Sequence, residues 1–317
     1  MMPLEEKIRR EEDVSADEIL SALHTLPAEE LWEMAHRVTE HFKPASFDFC
    51  AIVNARSGRC SENCKWCAQS AHWKTSCSTY GWIGTDACVD AAKAAAANRV
   101  RRLGIVTAGK GQSPADIDAI ADAIRAMNRE SSVEVCASLG LVDEASLRKL
   151  KDAGLKRVHC NLETAPSYFT ELCTTHTTDE KIATLRAARK VGLEICCGGI
   201  LGMGETDEQL VEFAFALKAI APDSIPMNFL DPIAGTPLGS RPFLSMDRIL
   251  TSIAVMRLVN PKTPLRFAGG RRKLSDADAA RAIYVGINAG IQGPLLTTPG
   301  ADYADDRHLA VKAGYGV

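Results

Sequence analysis

The chain is organised around the stretch FDFCAIVNARSGRCSENCKWC, residues 47–67. Its first part, Phe47–Val53, is a short apolar run rich in residues that favour β-strands. Its second part carries Cys60, Cys64 and Cys67 with the spacing C-x3-C-x2-C. Reactive side chains in a loop directly after a strand are typical of α/β barrels, whose functional residues lie at the carboxyl ends of the strands. The rest of the chain repeats this unit of strand and loop.

Eight β-rich runs alternate with helical stretches, which is the pattern of a parallel sheet wrapped by helices. Helix start signals stand between the runs, such as Ser113-Pro114 before 115–127 and Thr178-Asp179 before 180–191. A repeat of about 25 to 35 residues favours a (β/α)8 TIM-type barrel, an α/β fold, over a doubly wound sheet. The predicted strands are 47–53, 102–108, 132–138, 157–163, 192–198, 224–229, 265–268 and a weaker run at 286–291.

The two ends of the chain fit the same plan. Residues 1–45 have helical periodicity, and we expect them to form an N-terminal helical extension packed outside the barrel. The barrel then occupies residues 46–317, and the segment rich in glycine and proline from Gly293 is expected to cover one end of it. No linker or low-complexity tract divides the sequence further.

Composition and charge exclude several classes of protein. The 37 basic and 40 acidic residues leave a formal net charge of −3, so the chain has no basic field for nucleic acid. No run reaches the roughly 18 to 20 apolar residues of a membrane helix, and the first residues are charged. We therefore expect a cytoplasmic protein with neither a nucleic-acid nor a membrane partner.

Eleven cysteines are the compositional anomaly, and an odd number does not suit a fully disulfide-bonded protein. Clustered thiols in a reducing compartment indicate metal ligation or small buried residues. Three thiolates within eight residues can bind neighbouring corners of one iron-sulfur cube. The alternative, one half of a zinc ribbon, lacks the second C-x2-C pair that would complete it.

The cysteine loop resembles that of the radical S-adenosylmethionine (SAM) enzymes, in which an aromatic residue precedes the third cysteine; here it is Trp66. The resemblance implies that Cys60, Cys64 and Cys67 hold a catalytic [4Fe-4S] cluster and that SAM chelates the iron left without a protein ligand. It also implies reductive cleavage of SAM to a carbon radical, with Trp66 beside the cofactor. Such radicals need a dry barrel interior.

A closer resemblance, to the biotin synthase family, extends from about Phe47 to Thr298. It implies insertion of sulfur into dethiobiotin at carbons 6 and 9, with the sulfur donated by an auxiliary iron-sulfur cluster. It also implies SAM as cosubstrate, an electron donor such as flavodoxin or ferredoxin, and a homodimer. The blocks that carry it are residues 60–72, 136–140, 160–164, 173–177, 196–206, 226–230 with 235–238, and 265–271.

The resemblance also implies the ligands of the auxiliary cluster. Cys136, Cys196 and Arg266 match three of the family's four places, whereas the fourth falls near Gly104, where no thiol is present. Cys173 is our expected replacement, because another branch of the family carries a cysteine in the same loop. The cluster type, [2Fe-2S] or four-iron, stays open. The cysteines interpreted as small buried residues are Cys50, Cys77, Cys88, Cys160 and Cys197.

Strand alternation constrains these cysteines. Asn161 and Glu163 share a face with His159, so Cys160 points the other way. By the same rule Cys196 and its neighbour Cys197 cannot both point inward unless a bulge intervenes.

By resemblance, Asn161 and Glu163 bind the SAM ribose, since a carboxylate accepts from two vicinal hydroxyls. Gly199 and Gly202 belong to a glycine-rich stretch expected to bring the backbone close to SAM. His176 is expected at the SAM carboxylate.

Two residues are expected on the substrate side. Asn228 would bind the ureido ring of dethiobiotin, because an amide offers both a donor and an acceptor. Arg266 would lie beside the auxiliary cluster, as a ligand or as a source of positive charge.

Two rival hypotheses remain open at this point. One is a related radical SAM barrel without sulfur insertion, of the hydrogenase-cofactor maturase or methylornithine synthase type, which the missing thiol at Gly104 favours. The other is a non-catalytic metal-binding barrel, which the complete cysteine triplet and the Asn161 and Glu163 pair disfavour.

Overall fold

The computed structural model describes residues 2–298, 300 and 305–317. Within them, one wholly parallel sheet contains every named strand. The strands are β1 Asp48–Arg56, β2 Arg102–Thr107, β3 Glu134–Ser138, β4 Arg157–His159, β5 Glu194–Cys196, β6 Gly199–Leu201, β7 Ile225–Phe229, β8 Leu265–Phe267 and β9 Ala289–Ile291.

The sheet closes on itself. Its strand order is β5-β4-β3-β2-β1-β9-β8-β7-β6, and only two residues separate β5 from β6. Single bridges from Glu163 to Gly199 and from Cys196 to Ser224 join the two edges of the sheet. The predicted TIM-type barrel is therefore confirmed; the fifth predicted strand, 192–198, corresponds to β5, and the short strand β6 that follows it was not predicted.

The interruption between β5 and β6 has its cause on the neighbouring strand. Pro226 on the neighbouring strand β7 has no N–H to donate to the sheet ladder. The Gly198 N–H bonds instead to the side-chain Oδ1 of Asn161, at 2.9 Å. A Cβ at Gly198 would lie 2.0 Å from the Pro226 carbonyl oxygen, so only glycine fits between these strands.

Helices surround the sheet and have conventional ends. The Ser113 and Thr177 side chains form capping boxes at the starts of α5 and α8. None of the described helices is both long enough and apolar enough to cross a bilayer. The helices are α1 Leu4–Arg9, α2 Ala16–Thr25, α3 Ala28–His41, α4 Thr85–Ala97, α5 Pro114–Glu130, α6 Glu144–Asp152, α7 Pro166–Leu172, α8 Thr178–Lys190, α9 Asp207–Ile220, α10 Met246–Val259, α11 Asp276–Val285 and α12 Asp305–Lys312, with a 3-10 turn at Arg271–Lys273.

The first three helices lie outside the barrel. Helix α3 packs against α10 and α11, and α2 packs against α9. The barrel strands divide their side chains between two environments. On β2, Leu103 and Ile105 are buried against the helices, whereas Gly104 and Val106 face the interior cavity. This alternation decides which cysteines reach the interior.

Candidate active site

A cavity of about 380 Å³ occupies the barrel interior. Its wall includes Cys67 and Trp66 from the cysteine loop, and three strand cysteines, Cys50, Cys136 and Cys196. A second cavity of about 200 Å³ shares Trp66 and Cys67 with the first and adds Cys60 and Cys64. The barrel thus brings two groups of thiols to adjoining spaces.

Backbone hydrogen bonds shape the cysteine loop. The Cys60 N–H donates to the Gln69 carbonyl at 2.9 Å, and the Ala71 N–H donates to the Cys60 carbonyl at 2.8 Å. The Cys67 N–H donates to the Cys64 carbonyl at 3.1 Å. All three cysteines are free thiols that border one cavity, and this donor set fits an iron-sulfur cluster.

A second loop, residues 173–177 (the CTTHT loop), clamps the cysteine loop. Asn63 in the cysteine loop donates from Nδ2 to Thr174 Oγ1 at 2.6 Å, and its Oδ1 accepts from the Thr174 N–H at 2.9 Å. The Lys65 N–H donates to the Leu172 carbonyl at 3.0 Å. These contacts fix the position of the cysteine loop over the end of the barrel.

The clamp includes two further residues, Cys173 and His176. The Cys173 Sγ lies 3.6 Å from the Cys64 Sγ, and Cys173 does not border the cavity that contains Cys136 and Cys196. The His176 Nδ1 lies 2.6 Å from Glu62 Oε2 and 3.3 Å from the Cys173 Sγ. Both side chains therefore contact the cysteine loop. Cys173 lies apart from the strand cysteines, and His176 is already paired with the Glu62 carboxylate.

Cys50 takes the place in the interior that we expected Cys173 to fill. Cys50 lies on β1, Cys136 on β3 and Cys196 on β5, and all three border the same cavity. A Cβ built on Gly104, the position of the missing family thiol, would lie 3.9 Å from the Cys136 Cβ. Strand alternation is the sequence signal that could have identified Cys50. Its neighbour Phe49 faces the core, so Cys50 faces the interior.

Buried charges surround the strand cysteines. Arg266 Nη1 donates to the Cys50 Sγ at 3.2 Å and to the Asp48 and Gly290 carbonyls at 2.8 and 3.0 Å. Its Nη2 pairs with the Asp48 carboxylate, and its Nε donates to Ser224 Oγ at 3.2 Å. Burial by itself lowers the pKa of Arg266, but Cys50 and Asp48 more than offset this effect, so the guanidinium stays charged.

The strand thiols are neutral without metal. Burial raises the pKa of Cys50 and Cys196 and raises that of Cys136 to about 12. Binding of iron must therefore displace protons from these sulfurs.

Asn161 and Glu163 border both cavities, whereas Cys160 is buried and borders only the smaller one. The Asn161 Nδ2 donates to Glu163 Oε2 at 3.3 Å. The backbone of Glu163 has φ of 76°, in the left-handed region that non-glycine residues rarely adopt. Such strain persists where the surroundings enforce it, and here it accompanies the bridge from Glu163 to Gly199.

The two glycines expected near SAM have structural reasons for being glycine. A Cβ at Gly199 would lie 2.3 Å from the Glu163 carbonyl oxygen. Gly202 has φ of 94°, and its Cβ would lie 2.8 Å from Leu244. Neither glycine is among the described residues that border the two cavities, so close strand contact and backbone conformation explain them.

Asn228 borders the larger cavity, and backbone groups hold its amide. Its Nδ2 donates to the Gly199 carbonyl at 2.9 Å, and its Oδ1 accepts from the Gly269 N–H at 2.8 Å. One N–H and one lone pair remain for a ligand.

The other cysteines divide by location. Cys88 and Cys197 are fully buried in the core, as expected, and Cys196 alone of the adjacent pair borders the cavity. Cys77 differs from the expectation because it is only half-buried, with its Sγ 3.7 Å from Ser57 Oγ.

Comparison with known proteins shows the family to which the chain is related. The Radical SAM superfamily matches residues 55–217, and the Biotin and Thiamin Synthesis associated domain matches residues 226–316. Biotin synthase from Porphyromonas gingivalis is 48% identical over 301 residues, which are 95% of this chain and 91% of that protein. Biotin synthase from Brachyspira hyodysenteriae is 40% identical over 314 residues, 99% of this chain and 94% of that protein.

Two solved structures share the fold at low identity. Methylornithine synthase has a TM-score of 0.78 at 17% identity, and the superposition covers 99% of this chain and 97% of that protein. A FeFe-hydrogenase maturase from Carboxydothermus hydrogenoformans has a TM-score of 0.82 at 16% identity, and the superposition covers 98% of this chain and 77% of that protein. At such identities the likeness concerns the fold alone, so neither rival activity is favoured. The match to biotin synthases over nearly the whole length, together with the superfamily match, shows that the chain belongs to the biotin synthase family of radical SAM enzymes.

Proposed function

We propose that this protein converts dethiobiotin to biotin by inserting a sulfur atom at carbons 6 and 9, in a reaction driven by SAM. The observation that carries the proposal is one cavity bordered both by the cysteine loop and by three further thiols, Cys50, Cys136 and Cys196. A barrel that only generates a radical needs one cluster, whereas sulfur insertion also needs a sulfur source. The second group of thiols would hold the auxiliary cluster that serves as this sulfur source.

In this proposal Cys60, Cys64 and Cys67 hold the [4Fe-4S] cluster. When bound, that cluster supplies the electron for reductive cleavage of SAM. Asn161 and Glu163 orient the SAM ribose through hydrogen bonds to its hydroxyls, with Trp66 packed beside the cofactor. The apolar wall of the cavity, which includes Ile52 and Leu295, excludes water from the reacting carbons.

We further propose Cys50, Cys136 and Cys196 as the thiolate ligands of the auxiliary cluster, in place of the set that contained Cys173. When bound, that cluster supplies the sulfur atom. The role of Arg266 is to donate a hydrogen bond to the sulfur of Cys50 and to neutralise negative charge. All three of its nitrogens already donate to protein acceptors, which supports a donor rather than an iron ligand.

Dethiobiotin fits the larger cavity in chemical terms. The free N–H and lone pair of Asn228 suit a cyclic urea, which offers both an acceptor and donors. Residues Leu295 to Thr298 border the same cavity from the C-terminal segment, where they would contact the substrate's remaining chain.

The electron donor and the oligomeric state are inferred from the family. A one-electron donor such as flavodoxin or ferredoxin would reduce the first cluster, and the active form would be a homodimer. Eleven free cysteines suit the reducing cytoplasm, where thiols are kept reduced.

The test is anaerobic incubation of reconstituted protein with dethiobiotin, SAM and a low-potential reductant, with biotin measured by mass spectrometry. We expect biotin and 5′-deoxyadenosine together. Production of 5′-deoxyadenosine without any biotin would contradict sulfur insertion. Iron counting separates the cluster types: about four irons per chain indicate one cluster, about six a [2Fe-2S] auxiliary cluster and about eight a four-iron one.

A further inference from the structure

Cys64 and Cys173 belong to two loops that are joined by hydrogen bonds on both sides of their thiols. The N–H of Lys65, the residue after Cys64, donates to the carbonyl of Leu172 at 3.0 Å, and Leu172 directly precedes Cys173. The residue before Cys64 is Asn63, whose amide makes hydrogen bonds of 2.6 and 2.9 Å to the CTTHT loop. The loops therefore hold the two cysteines next to each other.

The sulfurs of these two cysteines are in direct contact. In the metal-free chain the Cys64 Sγ donates a hydrogen bond to the Cys173 Sγ at 3.6 Å, and both residues are free thiols. Within the part of the chain that the structure describes, no other two cysteines share a hydrogen bond between their sulfurs. Because an S–S bond measures about 2.0 Å, a further approach of about 1.5 Å would join the two sulfurs.

The two thiols differ in their access to small molecules. Cys64 borders the smaller cavity, whereas Cys173 is only 2% exposed and borders neither of the two cavities described above. Behind Cys173, the His176 Nδ1 lies 3.3 Å from its Sγ and is paired with Glu62. A small oxidant that enters the cavity therefore meets Cys64 first, with Cys173 behind it as a second thiol.

We propose that Cys64 and Cys173 form a reversible disulfide when the chain carries no cluster and meets hydrogen peroxide. The Cys64 sulfur attacks the O–O bond, becomes a sulfenic acid and releases one water. The Cys173 sulfur then attacks the sulfenic sulfur, which forms the S–S bond and releases a second water. The two thiols together lose two electrons and two protons, and the peroxide is reduced to water.

This disulfide protects the cysteine loop from irreversible oxidation. A sulfenic acid without a neighbouring thiol is oxidised further to sulfinic and sulfonic acids, which thiols do not reduce, whereas a disulfide is reduced by thiol exchange. Cys64 cannot bind iron while it is cross-linked, so the loop stays inactive until it is reduced. The protective role rests on the proposed function, in which Cys64 is a ligand of the first cluster; the cross-link itself depends only on the contact between the sulfurs.

The first experiment maps disulfides in the full wild-type chain after removal of iron. The reduced protein is treated with about one equivalent of hydrogen peroxide, the remaining thiols are alkylated, and cross-linked peptides are identified by mass spectrometry. We expect the cross-link between Cys64 and Cys173 to be the most abundant. Cross-links confined to Cys60, Cys64 and Cys67 would overturn the proposal, and so would oxidation of Cys64 without any cross-link.

The second experiment measures protection. Metal-free proteins are exposed to excess peroxide, reduced with a dithiol and reconstituted anaerobically, and the iron content of each is compared with that of its own unoxidised sample. Cys173→Ala should lose about four irons per chain relative to wild type, because its Cys64 has no partner that stops further oxidation. Cys77→Ala is the matched control, since the Cys77 Sγ lies 3.7 Å from Ser57 Oγ rather than beside a sulfur, and it should recover iron as wild type does.

Equal recovery of iron by Cys173→Ala and Cys77→Ala would overturn the protective role. The comparison with unoxidised samples separates this outcome from a defect in folding or in cluster assembly. Because neither experiment measures biotin, absence of biotin in the assay above would contradict sulfur insertion without affecting the cross-link, and absence of the cross-link would leave sulfur insertion untouched.

Discussion

The Sγ atoms of Cys64 and Cys173 lie 3.6 Å apart, within reach of a hydrogen bond between sulfurs. His176 and Glu62 continue this contact back into the cysteine loop. Cys173 is therefore a neighbour of a proposed cluster ligand. In the metal-free chain the Cys64 thiol donates to Cys173, and the direction would reverse once Cys64 binds iron as a thiolate. Hydrogen bonds to ligand sulfurs tune the reduction potential of iron-sulfur clusters.

Replacement of Cys173 by alanine should leave the iron content unchanged and make the reduction potential of the first cluster more negative. The reason is the loss of a donor that stabilises added negative charge on the cluster. An anaerobic redox titration followed by electron paramagnetic resonance measures the shift. Cys173→Ser keeps a donor and should fall closer to wild type. A loss of two or more irons per chain in Cys173→Ala would instead identify Cys173 as an auxiliary ligand.

Cys50→Ala should abolish the auxiliary cluster and biotin formation while SAM cleavage continues. Cys50 shares the interior cavity with Cys136 and Cys196, and the first cluster has its own three cysteines. Iron and sulfide analysis should show about four irons per chain in this variant. Cys88→Ala, at a cysteine buried on α4, is the matched control and should keep the wild-type iron content. Full auxiliary iron in Cys50→Ala would remove Cys50 from the ligand set.

A matched pair of glycine substitutions tests the close contact that closes the barrel. Gly199→Ala puts a Cβ 2.3 Å from the Glu163 carbonyl oxygen and should lower the free energy of unfolding by about 2 to 3 kcal/mol. Gly104→Ala puts its Cβ 3.4 Å from the nearest side-chain atom, in Ile52, and should change stability by less than about 1 kcal/mol. Urea unfolding of the metal-free proteins compares them. Equal effects would mean that the barrel tolerates a shift of β6.

The paired charges at Asp48 should matter for stability before any cluster binds. Asp48 pairs with Arg266 and with Arg102, and both guanidinium groups are buried. Asp48→Asn removes the carboxylate partner of Arg266, whereas Arg102 keeps Glu134, and should destabilise the metal-free protein by about 3 kcal/mol. Asp122→Asn, which breaks an exposed pair with Arg125, should cost less than about 1 kcal/mol. Similar midpoints in thermal unfolding for both variants would refute the prediction.

Local signals in the sequence were enough to predict the barrel and the cysteine loop. The predicted strand at 102–108 corresponds to β2, and that at 132–138 to β3, because each apolar run ends at a turn signal. The helix predicted after Ser113 begins at Pro114, where a capping box fixes its start. The predicted fifth strand ends at residue 198, so β6 was missed; its separation from β5 involves Pro226 on the neighbouring strand, which no local pattern shows.

The sequence by itself determined the barrel, the three cysteines proposed for the first cluster and the family resemblance, because these depend on patterns within short stretches. Tertiary structure alone decided which other thiols share the interior. Cys50 and Cys196 are far apart in the chain, and closure of the sheet brings both to one cavity. Cys173 does not share that cavity, because hydrogen bonds between two loops, through Asn63 and Thr174, hold it beside Cys64. No spacing along the chain encodes these contacts, since they form only when distant segments pack together.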